Sequence, residues 1–422
     1  MTFPKAKINK KKPTNWPLLF FLTNIILMFG RPVDILPFIA IIKPGMLMAL
    51  GILLYWINSK QRNIDLQENE IKTNIYLIVI CVISLYWADN IGATFAIFQN
   101  YIMHLFGFTL AAMLTLKNIE TFKRFLNVWL GVNMYLAYTV IINGGRGTGG
   151  ILGDENDVGA AIVMVIPYFY YSTQLFTKRL SKILIYTGLA LCLVAVISTG
   201  SRGAFLGLLS VLGAIFYLSN HKFKLFFVGT TVLIIAISFF VSDEYISEII
   251  SINDTEDDTR TERLYSWGLG LQMFLDHPIF GVGAGQYPWA VCRYQPAEDI
   301  AAGMHILCTR VSHSTYVDIL ADYGLFGVFC FSMIAISIIS KLRKCKQFVK
   351  TYSKSSNITK DYEDKIQLID TFTNILIVTL IGFASSGLFI SILYYPFIWI
   401  PIGIIIAISR YTTNLEEKLS KT

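Results

Sequence analysis

The sequence predicts an all-α polytopic membrane protein of about 12 transmembrane helices, with one large outer loop between the ninth and tenth. Composition is the first reason. Hydrophobic residues make up 54% of the 422 and charged residues 15%, where a soluble domain carries about 25% charged. The second is the recurrence, from end to end, of apolar runs near the ~20 residues that a bilayer-spanning helix needs. The third is charge placement. Of the 35 Lys and Arg, all but Arg31, Lys43, Arg146, Arg202, Arg260, Arg263, Arg293 and Arg310 fall on alternate loops. Those loops are the cytoplasmic ones by the positive-inside rule, which also puts both termini there.

Taken in order, spans are expected near Trp16–Phe29, Ile35–Ile57, Asn74–Ala88, Phe95–Leu116 and Phe125–Asn143. Others follow near Val158–Phe176, Ile183–Thr199, Ala204–Ser219, Leu225–Val241, Tyr316–Ser340, Leu368–Phe389 and Leu393–Ile408. The organisation is a membrane bundle over 1–241, an outer loop over 242–315, and the last three spans with a cytoplasmic tail over 316–422. The basic leader Lys5–Lys12 precedes a short apolar run with no small-residue cleavage site, which reads as a retained helix and not a signal peptide.

The net charge of +7 points to topology determinants and contact with membrane lipids, since its largest cluster, Lys341–Lys365, lies on the inner side. Nothing resembles a nucleic-acid module. No Cys/His spacing suits zinc, and no carboxylate cluster is clearly placed for Mg²⁺, so neither a metal nor a cofactor is expected. Cys292 and Cys308 are the cysteines of the outer loop and a candidate disulfide in an oxidising compartment.

Among the eight outer basic residues all but Lys43 are Arg, which points to planar, bidentate recognition of an oxyanion. Thr199-Gly-Ser-Arg-Gly203 joins two spans and holds Arg202 at the membrane edge, where an unneutralised charge is costly. In the long loop Leu264, Trp267, Leu271 and Phe274 recur at helical spacing, with Arg260 and Arg263 one turn apart. The expectation is an amphipathic helix on the membrane surface with Trp267 at headgroup depth, aiming Arg263 at a lipid-borne phosphate. The alternative is that both Arg residues pair with Asp257 or Asp258. Gly281, Gly283 and Gly285 lack the strand and helix of a nucleotide fold and read as a backbone-exposing turn. His277 reads as a helix-ending surface residue. His313 lies where the loop enters the tenth span and suits a proton acceptor between an aqueous and a lipid substrate. Asp154, Glu155, Asn156 and Asp157 follow a glycine-rich turn and either cap the next helix or bind sugar hydroxyls.

Together the Thr199–Gly203 turn, the Arg263…Trp267 helix with Asp276–Gly285, and the His313-Ser-Thr-Tyr…Tyr-Gly-Leu-Phe-Gly327 segment resemble the O-antigen ligase and O-antigen polymerase superfamily. Arg31-Pro-Val-Asp-Ile-Leu-Pro37 and Gly153–Asp157 also look typical of it. The likeness covers most of the chain in topology and is motif-specific over 199–327. It implies a GT-C-type membrane glycosyltransferase of the bacterial inner membrane, facing the periplasm, and the lack of a carboxylate cluster adds the expectation that it is metal-independent. Its donor would be an undecaprenyl-pyrophosphate-linked glycan, and its acceptor lipid A–core or another glycan. By motif, Arg202 and Arg263 would bind the pyrophosphate and His313 would assist the acceptor. Arg260, Arg31, Asp154, Asn156, Asp157 and Trp267 are further candidate substrate contacts. Val291–Arg310 follows no family pattern. Polymerase remains the alternative to ligase, and a flippase or other transporter is a third reading, which calls for ionisable residues deep in several spans.

Overall fold

The computed structural model describes residues 15–60, 62–219, 222, 258–353 and 359–420, with the backbone alone at residues 64 and 258–260. Its helices are α1 Trp16–Phe29, α2 Pro32–Ile35, α3 Pro44–Ile57, α4 Arg62–Asp65, α5 Asn69–Ser84, α6 Ile91–Ile102, α7 Ala111–Thr115, α8 Ile119–Ile142 and α9 Glu155–Ser172. They continue as α10 Arg179–Ser198, α11 Arg202–Leu218, α12 Asp258–Asp276, α13 Tyr287–Tyr294, α14 Ala297–Ala301, α15 Thr315–Tyr352, α16 Lys360–Ser386 and α17 Pro396–Leu419. The chain is all-helical, with no strand among the described residues. A helix satisfies its own backbone hydrogen bonds, which is what lets it cross hydrocarbon.

Among the described residues seven helices have the length and apolarity to cross a membrane, and two shorter ones, Trp16–Phe29 and Arg202–Leu218, are also apolar. The expected span Leu225–Val241 and the leader Lys5–Lys12 lie outside the described residues. Boundaries move in one informative place. The span expected at Tyr316–Ser340 belongs to a longer helix, α15, broken at Gly324 (φ 59°, ψ −148°).

One hydrophobic core runs through the bundle, filled by side chains such as Phe21, Phe125, Tyr168, Phe372 and Trp399. The two ends differ in chemistry. At one, Lys341 pairs with Glu68 and Glu70, and Arg410 with Asp65 and Glu68. At the other lie the turns 144–154 and 199–201, helices α12–α14, and the loop 387–395.

The described part of the outer loop, residues 261–312, is packed onto this second end. Leu269, Met273, Val282, Tyr287, Ala290, Val291 and Leu307 form a small core with Ala321 of α15. Gly270 is needed for the approach, since a Cβ there would sit 2.4 Å from Val317 Cγ1. The inward face of α12 is therefore Ser266, Leu269, Gly270 and Met273, whereas Leu264 and Leu271 of the expected stripe are exposed. Small residues decide this face, and a hydrophobic count alone does not register them.

Candidate functional site

His313 has a left-handed backbone, φ 56°, a conformation that costs a non-glycine residue of order 1 kcal/mol or more and persists only where the surroundings impose it. They do so here from both sides. Before it, Ser312 Oγ donates to Asp318 Oδ1 (2.6 Å) and accepts from the Ser314 N–H (3.0 Å), while the Ser312 carbonyl accepts from Trp267 Nε1 (3.0 Å). After it, the Thr315 N–H reaches the Gly387 carbonyl (2.9 Å), and Thr315 Oγ1 donates to Ile390 O (2.8 Å) and accepts from the Ile392 N–H (3.1 Å). Trp267, expected at headgroup depth, is thus a support for the histidine turn, also packed 6.3 Å from Phe389.

Electrostatics complete the description of the imidazole. Burial and then the neighbouring Arg263 guanidinium hold His313 below the ordinary value of 6.5, with Asp154 and Glu262 pulling the other way and Arg310 adding to the depression. The ring is therefore neutral near pH 7 and able to accept a proton. Asp154, Arg263, Glu262 and Arg310 all act on this one ring, which brings three separated segments of the sequence to one place.

Arg202 is the first residue of α11. Gly200 turns the chain with φ 63°, and Ser201 caps the helix by accepting from the Ala204 N–H (3.2 Å) while donating to Asn156 Oδ1 (2.7 Å). A Cβ on Gly203 would lie 2.9 Å from Ile390 Cγ1. The Arg202 turn and the histidine turn therefore meet across the same 387–392 loop.

The acidic turn does two jobs. Asp154 caps α9, its carboxylate accepting from the Asn156 N–H (2.8 Å). Asn156 ties α9 to Ser201, and Asp157 accepts from the Tyr395 hydroxyl (2.8 Å). Capping is therefore present at Asp154, and Asn156 and Asp157 join the elements that surround the site. Arg31 pairs with Asp34 through two bonds of 2.6 and 2.7 Å, which holds that carboxyl below its ordinary value. Its guanidinium lies against Gly150, where a Cβ would come within 2.5 Å of Nη1. The Arg260 and Asp258 side chains, and Asp257 with the acidic residues before it, lie outside the described residues. Arg146 pairs with Glu155 at 3.1 Å, Arg310 with Glu262, and Arg293 with Asp89. The Cys292 and Cys308 sulfurs are in contact, with Cα atoms 4.8 Å apart, inside the range a disulfide spans. Among the described residues no group of three or more His, Cys, Asp or Glu side chains is placed to hold a metal.

Beside Thr315 opens an apolar groove of about 660 Å³. It runs between α15, α16 and α17, from Thr315 and Tyr316 past Ile319, Ile338 and Leu342 to Arg343 and Lys346.

The family model described as O-antigen ligase (Wzy_C) matches residues 187–332. Over those residues the chain is similar to that family. The matched segment takes in the Arg202 turn, the Arg263 helix, the glycine turn and His313, and it ends inside α15. No curated protein matches the chain.

Sequence reasoning passed over Asp318 and Asp322. Both are buried and one and two turns into a span, where an ionisable residue is a functional or organising feature by default. That position was a usable signal. Tyr394, Tyr395 and the 387–392 loop carried none, because their part depends on contacts with segments far away in sequence.

Proposed function

We propose that the chain is an O-antigen ligase-type glycosyltransferase that moves a glycan from a polyprenyl-pyrophosphate carrier to an acceptor hydroxyl, at the periplasmic face of the bacterial inner membrane. The observation that carries this reading is the mouth of the apolar groove at Thr315, two residues from His313. A polyprenyl chain in that groove delivers its pyrophosphate to the end of the bundle where Arg202 and Arg263 sit.

In the reaction the acceptor oxygen attacks the anomeric carbon, and the bond from that carbon to the pyrophosphate oxygen breaks. Neutral His313 takes the hydroxyl proton. Polyprenyl pyrophosphate leaves with the electron pair, and the Arg202 and Arg263 guanidinium groups stabilise the growing charge on its oxygens. Fixed cations aimed at developing charge are among the strongest contributions to transition-state stabilisation. Asp154, Asn156 and Asp157 hold the surrounding turns. Lipid A–core is the acceptor we assign, following the ligase description of the matched family.

Purified protein in nanodiscs, given polyprenyl-pyrophosphate-linked glycan and lipid A–core, tests this directly. Release of polyprenyl pyrophosphate with a matching mass gain on lipid A–core is expected. A deletion strain separates the close alternative. Long polymer left on its carrier means ligation was lost, whereas lipopolysaccharide capped by a single repeat means polymerisation was lost and overturns the ligase assignment.

A further inference from the structure

A second concavity opens beside the glycine turn, away from His313. Its volume is about 930 Å³, and it is lined by Trp87, Asp276 to Val282, Arg293 and Tyr294. That volume is toward the upper end of the ~300–1,000 Å³ typical of small-molecule pockets. Its lining combines the aromatic rings of Trp87, Phe280 and Tyr294 with the charged groups of Asp276 and Arg293.

The walls are fixed before any ligand arrives. The glycine turn forms the floor, with Val282 N–H on Ala321 O (2.8 Å) and Gly283 N–H on Asp322 O (3.1 Å). Gly283 has φ 116°, and a Cβ on it would lie 3.3 Å from Trp87 Nε1, so the indole rests on the turn. Gln286 accepts from the Asn90 N–H (2.9 Å) and donates to Asn90 O (2.9 Å), which binds the Trp87 loop to the turn. Arg293 pairs with Asp89 of that same loop, and Tyr294 and Asp276 line the cleft together. A pre-organised site spends little of its binding energy on ordering itself.

Charge narrows the ligand. The lining carries one carboxylate, Asp276, and one guanidinium, Arg293, whose charge is already offset by its pair with Asp89. A diphosphate or an anionic headgroup finds no uncompensated guanidinium in this lining and meets the Asp276 carboxylate. A carboxylate that accepts, a guanidinium that donates and aromatic rings that cover C–H surfaces together suit a neutral polyhydroxylated ligand. From Arg263 to Asp276 the straight helix α12 rises about 20 Å, so an extended oligosaccharide, not a single sugar, joins the two places.

We propose that this cleft is a glycan subsite, holding neutral sugar residues remote from the bond being made. As a subsite for transfer it rests on the function proposed above, whereas its affinity for oligosaccharide does not. The neutral glycan comes either from the donor's repeat unit or from the acceptor.

The test uses the full-length protein in nanodiscs and two soluble probes. One is the oligosaccharide released by mild acid from the host's polyprenyl-linked pool, and the other is the host's core oligosaccharide. Binding is read by saturation-transfer NMR and calorimetry for wild type, Asp276→Asn and Trp87→Ala, with transfer measured in parallel. Binding of one probe by wild type, weakened at least about five-fold by Asp276→Asn at an unchanged melting temperature, is expected. The probe that binds identifies the source. Asp276 is exposed and asparagine is isosteric, so that arm stands even where Trp87→Ala fails to fold. No binding by wild type, or binding that neither variant weakens, overturns the subsite. If transfer still proceeds in that case, the transferase reading survives alone. If oligosaccharide binding behaves as expected and no transfer occurs, the subsite survives and the transferase reading falls.

Discussion

Replacing His313 with glutamine separates chemistry from architecture. Glutamine keeps a hydrogen-bonding amide and meets the same positive φ of 56°, so the backbone strain is largely unchanged and the turn stays anchored by Ser312 and Thr315. What is lost is the basic nitrogen. A positioned general base contributes roughly 10²–10⁴-fold, which at 1.36 kcal/mol per decade is about 2.7–5.5 kcal/mol of barrier. His313→Gln is therefore expected to lose at least about a hundred-fold in turnover while binding of the lipid-linked donor is retained. The pH profile makes the test sharper. Because burial and Arg263 hold the imidazole below 6.5, wild-type turnover stays level through neutral pH and falls only in acid, as the ring gains a proton. Neutralising the neighbour in Arg263→Gln removes a repulsion against the protonated ring. The residual activity of that variant should then show its acid limb at higher pH. Single-turnover transfer in nanodiscs, followed from pH 5 to 8, measures both effects. If His313→Gln keeps most of the rate and the wild-type acid limb, His313 orients the acceptor and is not the base.

Arg202→Lys and Arg263→Lys each keep the charge and lose the planar fork, so each is expected to lower turnover at least about ten-fold, while Arg260→Lys is mild. Near-wild-type activity for all three at matched expression defeats the clamp. A periplasm-active reporter fused after residue 250 should be on, and one fused near Lys350 off; the reverse pattern removes the periplasmic donor from the proposal. Cys292 and Cys308 should resist alkylation until a reductant is added, and a bridge over a loop of this length is worth about 3 kcal/mol in the chain-entropy account. Intact mass after alkylation without reductant reads it directly, and two alkylated thiols at these positions refute it.

The helical class and the position of each apolar helix in the described residues were legible, because hydrocarbon imposes one solution on a run of apolar residues and leaves the signal undiluted. His313, Arg202 and Arg263 were legible as candidates because a charge or imidazole beside a span has few bland explanations. The inward face of α12 was not legible. Leu264 and Leu271 outrank Gly270 on any hydrophobic scale, yet Gly270 is where Val317 and Tyr287 come close. Asn156 and Asp157 were ambiguous for a related reason. A run of acidic and amide residues before a helix is equally a cap, a sugar contact or a tie between helices, and only the distant partners Ser201 and Tyr395 show which bonds are made.

The same limit explains why the loop motif and the span motif occur together. At Gly324 the backbone leaves helical values, so the N–H groups that follow lose their partners within the helix. An orphaned donor in hydrocarbon is expensive. The Leu325 and Phe326 N–H groups are satisfied instead by the carbonyls of Pro278 (2.8 Å) and Ile279 (3.0 Å). A Cβ on Gly324 would lie 2.6 Å from the Pro278 oxygen, so this joint requires glycine. One turn earlier, Asp322 reciprocates, its carboxylate accepting from the N–H groups of Gly285 (3.2 Å) and Tyr287 (2.7 Å) and from the Tyr394 hydroxyl. Asp276–Gly285 and Tyr323–Gly327 are thus the two halves of a single joint. It fastens the outer loop to α15 at a fixed distance from His313. A change in the glycine turn then reaches the histidine turn through α15 as well as the cleft it floors, which makes the joint part of the positioning of the site and not of its chemistry.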